Sequence, residues 1–91
     1  MLKVAFLWHM HQPCYRDALT NEVALPWVRL HACQSYLDMA STVDKFDNVR
    51  VNFNIVPSLI YQLKEYSEKG FNGDVFYDLS MKDPDDLSED D

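Results

Sequence analysis

The chain of 91 residues has no long hydrophobic run, no cluster of basic residues and no CxxC pair, and no repeat or low-complexity tract precedes its acidic end. Each absence removes a class of function. The longest N-terminal apolar run, Val4–Trp8, is broken by His9 and followed by no small-residue cleavage site. It reads as a strand and neither as a membrane span nor as a signal peptide. Without a Lys/Arg cluster nothing neutralises a row of phosphates, which argues against nucleic-acid binding. Cys14 and Cys33 have no metal-ligand spacing. With no export signal they read as reduced thiols of a cytoplasmic protein, Cys33 as a small core residue.

What is present is apolar and unevenly charged. Hydrophobic residues make up 47% of the chain and aromatics 13%, too much for a disordered polymer over most of its length. The formal net charge is −7. Residues 1–73 are balanced, with seven acids and seven bases, whereas residues 74–91 hold eight acids and only Lys82. The imbalance therefore belongs entirely to the last segment.

Hydrophobic periodicity predicts a β–α–β–α order. Leu2–Met10 reads as a first strand, with Ala5, Leu7, His9 and His11 on one face and Val4, Phe6, Trp8 and Met10 on the other. Both faces begin apolar, as in a parallel strand covered on each side. A connection from Gln12 to about Leu25 follows, and Pro26 suits a helix start. The segment from Trp27 to about Phe46 places Leu30, Cys33, Leu37, Ala40 and Val43 at helical spacing, widened by Tyr36, Met39 and Phe46. Val49–Val56 alternates as a second strand, with Val51, Phe53 and Ile55 opposite Arg50, Asn52 and Asn54. Pro57 opens a second helix with a Leu59, Ile60, Leu63 and Tyr66 stripe, a Glu65→Lys69 pair and a stop at Gly70.

Two parallel strands leave open edges and faces with no partner. Ser88-Glu89-Asp90-Asp91 reads as the capping box of a third helix that does not arrive. The expectation is that 1–91 is the N-terminal fragment of a longer α/β catalytic domain, with 74–91 an acidic segment leading into that truncated helix.

Sites in α/β proteins lie at the C-terminal ends of strands. His9-Met10-His11-Gln12-Pro13 ends the first strand and Asn52-Phe53-Asn54 the second, so the polar sets share one sheet edge. They also share the face opposite Phe6, Trp8, Phe53 and Ile55, which are expected to pack on the helices. In a closed barrel that polar face is the lumen. Other readings of the same residues stay open. Asn54 also suits a turn-closing role, Trp27 suits packing, and Arg29 and His31 suit solvated helix positions. Asp17 and Glu22 read as solvent-facing loop acids. The His9-x-His11 pair also suits zinc, although no acid precedes it.

Four segments carry a family resemblance: Trp8-His9-Met10-His11-Gln12-Pro13, Leu25-Pro26-Trp27-Val28-Arg29-Leu30-His31-Ala32, Asn52-Phe53-Asn54-Ile55-Val56-Pro57-Ser58-Leu59 and Asp83-Pro84-Asp85-Asp86-Leu87-Ser88. Together they resemble the N-terminus of glycoside hydrolase family 57, the α-amylase, amylopullulanase and 4-α-glucanotransferase group. The resemblance implies the opening of an incomplete (β/α)7 barrel that cleaves or transfers α-glucan chains with retention. It implies a catalytic glutamate and aspartate from later motifs that this chain does not contain, so no catalytic residue is assigned here and the chain alone is expected to be inactive. It places His11 and Gln12 at the sugar-binding centre with His9 beside them, and makes Trp27 and Asn54 further substrate contacts. No cofactor or metal is implied. The partners are an α-glucan or maltooligosaccharide and the remainder of the barrel, with no nucleic acid and no membrane. Cys14 departs from what relatives often place after the proline. The alternatives are a non-catalytic carbohydrate-binding or interaction module, and a fragment of a metal-dependent barrel hydrolase using the His-x-His pair.

Overall fold

A computed structural model describes residues 1–90. Two short strands, β1 (Leu7–Met10) and β2 (Asn52–Ile55), pair in parallel with Leu7 opposite Asn52, Trp8 opposite Phe53, His9 opposite Asn54 and Met10 opposite Ile55. Between them runs a helical rod made of α1 (Trp27–His31), a π-helical turn (Ala32–Tyr36) and α2 (Leu37–Val43). Beyond β2 come α3 (Pro57–Lys69), α4 (Val75–Ser80) and a 3-10 turn (Pro84–Asp86). The β–α–β–α order stands, with both strands shorter than the alternation predicts. Leu2–Phe6 and Val49–Val51 lie outside the strands, although the Asn52 N–H still reaches the Phe6 carbonyl at 3.0 Å.

Local chemistry explains the ends of α3. Val56 is extended, Pro57 occupies the first turn where its missing N–H is no loss, and Gly70 stops the helix at φ 68°. α4 was not legible as a separate element. Asp74 caps it by accepting the Tyr77 N–H at 3.0 Å, which satisfies one of the orphan donors of its first turn. The expected helix at Ser88–Asp91 ends on Asp91, which lies outside the described residues.

The core sits where β1, α1 and α3 meet. Met10, Val28 and Leu59 are enclosed there, and Tyr36, Met39, Phe53, Val56, Leu63 and Tyr66 pack against them. Several expectations are corrected by this arrangement. Val28 and not Leu30 faces inward, and Leu30, Cys33, Leu37 and Ala40 lie on the open side of the rod. Cys33 is therefore an exposed free thiol and not a core residue. The physical reason is the packed partner: the rod faces the Met10 and Leu59 core through Val28, Tyr36 and Met39, so the neighbouring row turns outward. In α3, Ile60 is exposed while Gln62 and Glu65 are buried. On the sheet, Phe53 packs on the core, but Phe6, Trp8 and Ile55 stay exposed, because the helices cover only part of that face.

The long connection after β1 is an ordered hairpin. Arg16 and Val23 bridge antiparallel, the Asp17 carboxylate accepts the Leu19 and Thr20 N–H groups at 2.7 and 3.0 Å, and Asn21 takes φ 62° in the turn. Among the bonds that tie the hairpin down, one reaches α3 and another the loop between α3 and α4. Arg16 donates to Glu65 at 2.8 Å, and the Val23 N–H donates to the Gly73 carbonyl at 2.6 Å. Gly73 has φ 79°, the left-handed region that favours glycine, and a Cβ there would lie 3.3 Å from the Asn21 carbonyl oxygen, which would have to give by a few tenths of an ångström.

The described chain is elongated, 63 × 28 × 23 Å with a radius of gyration of 17.4 Å. A compact domain of this length has a radius near ~12 Å.

Candidate sugar-binding site

Register brings the polar strand ends together. Because His9 lies opposite Asn54 in the parallel ladder, the two side chains share a face, and His9 Nδ1 lies 2.6 Å from Asn54 Oδ1. The contact fixes the orientation of the ring and leaves Nε2 directed away from Asn54. His11, two residues on, stacks on His9 with ring centroids 5.7 Å apart and an interplanar angle of 26°. His9, His11 and Asn54 are all exposed. They present amide and imidazole donors and acceptors on one open edge. Among the described residues no third His, Cys, Asp or Glu joins the two imidazoles in a metal-holding group.

Gln12 points the other way. It is buried, its Nε2 donates to the Tyr36 hydroxyl at 3.1 Å, and its Oε1 accepts the Tyr15 hydroxyl at 2.9 Å. Trp27 opens α1 as a residue 45% exposed, with its ring 6.3 Å from the His31 ring, which in turn lies 5.9 Å from Tyr36. An aromatic row thus runs from Trp27 through His31 and Tyr36 to Gln12. The structure brings His9, His11 and Asn54 side by side, joins Gln12 to them from beneath through the chain, and leaves Trp27 at the far end of that row. Periodicity alone did not point to Tyr15, Ser58 or Gln62, and it marked Tyr36 only as part of an apolar helix face. The visible signal is Gln62 itself, an amide set within the apolar Leu59, Leu63 and Tyr66 row.

The charged groups have a separate function. Asp74 is fully buried and accepts from Arg29 Nε at 2.7 Å and from the Tyr66 hydroxyl at 2.9 Å. The Arg29 guanidinium lies 5.9 Å from the centre of the Phe71 ring and 5.6 Å from that of Tyr77. Burial pushes the Asp74 carboxyl up, but the Arg29 and Tyr66 side chains and the Tyr77 N–H outweigh it and hold the group below its ordinary value. Glu65 is also held low, by Lys69 first, against burial, with Arg16 adding to it. The Tyr66 phenol is pushed up, by burial and then by the Asp74 carboxylate. Arg29, open to a solvated reading in the sequence, is in fact the partner of a buried acid.

These shifts fix a pH dependence. Carboxyls depressed in the folded state contribute stability that is fully present above their unfolded pKa of about 4 and is lost as pH falls through the folded values. The raised Tyr66 phenol contributes stability that is complete below its unfolded pKa of about 10 and is lost above it. Thermal melts followed by circular dichroism are expected to show a plateau near neutrality. The midpoint should fall on acidification below about pH 4, and much less so in Asp74→Asn than in wild type.

A family model described as glycosyl hydrolase family 57 matches residues 5–83. The chain belongs to that family. The match takes in β1, the hairpin, the rod, β2, α3 and α4, and therefore every residue of the His9, His11 and Asn54 edge. Membership makes a glycoside-hydrolase-like function and a carbohydrate substrate the frame for the site. Neither the curated proteins nor the solved structures contain a match to the chain.

Proposed function

We propose that the chain is the opening portion of an incomplete (β/α)7 barrel in a retaining α-glucan-active hydrolase or 4-α-glucanotransferase, of the α-amylase and amylopullulanase group, and that it supplies sugar contacts and not the catalytic acids. The observation that carries this reading is the His9, His11 and Asn54 cluster at the C-terminal ends of paired parallel strands, where α/β sheets bind ligands. Imidazole and amide groups both donate and accept, which suits sugar hydroxyls. Trp27, about half exposed, is the aromatic platform for a glucose ring. A retaining mechanism needs two carboxyl groups about 5–5.5 Å apart across the scissile bond. In this reading both come from other segments of the parent enzyme, and the parent works in the cytoplasm, in accord with the free thiols of Cys14 and Cys33.

The test is a titration of the isotope-labelled chain with maltooligosaccharides. Chemical-shift changes are expected at His9, His11, Asn54 and Trp27, with weak affinity, and His11→Ala is expected to abolish them while the Leu59 and Val28 methyl signals stay in place. Unchanged spectra at saturating sugar, or equal binding by folded His11→Ala, would remove these residues from the site.

A further inference from the structure

The residues directly after His11 are held from two sides. From α3, Ser58 Oγ donates to the Gln12 carbonyl at 2.7 Å and Gln62 Nε2 donates to the Pro13 carbonyl at 2.8 Å. Gln62 Oε1 accepts the Tyr15 N–H at 2.9 Å, and Gln62 Nε2 also donates to the Ser58 carbonyl at 3.0 Å. From the rod, Tyr36 holds the Gln12 side chain, with the Tyr15 hydroxyl on its other end. Gln62 is only 4% exposed. A buried amide is costly unless its polar atoms are bonded, and this one has both hydrogens and its oxygen engaged. Two of those three bonds fasten a turn that lies 47 to 49 residues away in the chain, and the third goes to the helix's own Ser58 carbonyl.

We propose that Gln62 is a positioning residue, fixing the His11-Gln12-Pro13 turn so that the His9 and His11 rings stay stacked at the open edge. Gln12 belongs to the same support, acting through the turn from beneath. The consequence for sugar affinity rests on the proposed function above; the effect on ring geometry does not. Preorganisation explains why a helix side chain matters to an edge it does not touch: a loose turn must be ordered again each time a ligand binds. Ordering one mobile side chain costs about 0.5–1.5 kcal/mol, so releasing the turn is expected to weaken binding by up to about tenfold.

The experiment compares the full chain with Gln62→Met, which keeps side-chain length and removes the bonds of Gln62 to Pro13 and Tyr15 while leaving those of Ser58 and Tyr36 to Gln12. Nuclear magnetic resonance of histidine-labelled protein reads cross-relaxation between the His9 and His11 rings, and methyl signals of Val28 and Leu59 report the core. The expected result is loss of the ring-to-ring contact and about tenfold weaker maltooligosaccharide binding, with the core signals in place. A folded Gln62→Met with the ring contact intact overturns the proposal. Should that variant not fold, Gln62→Glu, which keeps the acceptor for the Tyr15 N–H and as a carboxylate loses the donation to the Pro13 carbonyl, decides it: a weakened ring contact supports the proposal and an unchanged one overturns it. If wild type binds no sugar yet Gln62→Met loses the ring contact, the positioning role stands and the sugar reading falls.

Discussion

Arg29→Ala is expected to be among the most damaging single substitutions in the chain, costing about 3–5 kcal/mol, because it leaves the Asp74 carboxylate buried without its cation. A compact chain of this length holds about 5–14 kcal/mol in all, and this one is elongated and encloses few apolar side chains. Loss of the pair is therefore expected to leave little folded protein at room temperature. Asp74 also caps α4 and binds Tyr66, so the damage extends to the join between α1, α3 and α4. Urea unfolding followed by circular dichroism checks the magnitude. Arg29→Lys is the informative control. It keeps the charge, but an ammonium does not reproduce a planar guanidinium lying against Phe71 and Tyr77, so only part of the stability is expected to return. Wild-type stability in Arg29→Ala would mean that the buried carboxylate finds another partner or takes up a proton.

Leu59→Ala is expected to cost about 2–5 kcal/mol. Leu59 has no exposed surface and stands between Met10 of β1 and Val28 of α1. Truncation removes buried methyl groups and leaves a cavity at the one point where strand, rod and α3 converge. Ile60, its neighbour in sequence, is half exposed, and Ile60→Ala is expected to change the unfolding midpoint far less. The pair of substitutions separates the helix face that is packed from the one that is merely apolar. Similar losses from both would place Ile60 in the core as well.

That contrast also marks what the sequence disclosed. The element order was legible because Pro26, Pro57 and Gly70 punctuate it and because strand and helix periods differ. The polar edge was legible because His9, His11 and Asn54 fall on the same parity of strands whose ends align. The inward side of the rod was not. Leu30, Cys33 and Leu37 form as good a row as Val28, Tyr36 and Met39, and only the position of α3 chooses between them. The Arg29–Asp74 pair was hidden for a related reason: 45 residues separate its members, and nothing local in either segment specifies the other. Gln62 offered a hint, a polar residue inside an apolar row, without saying what it bonds.

The π-helical turn at Ala32–Tyr36 has a bearing on how the gene tolerates change. A residue added to or lost from a helix rotates everything after it by about 100°. A three-nucleotide deletion within this turn would swing the Tyr36 hydroxyl off Gln12 and Met39 off the core, even though no codon that remains has been altered. In-frame length variants confined to the five codons of the turn are therefore expected to be depleted more strongly than most missense variants of the same codons. The helix carries its sensitivity in its count of residues more than in their identity.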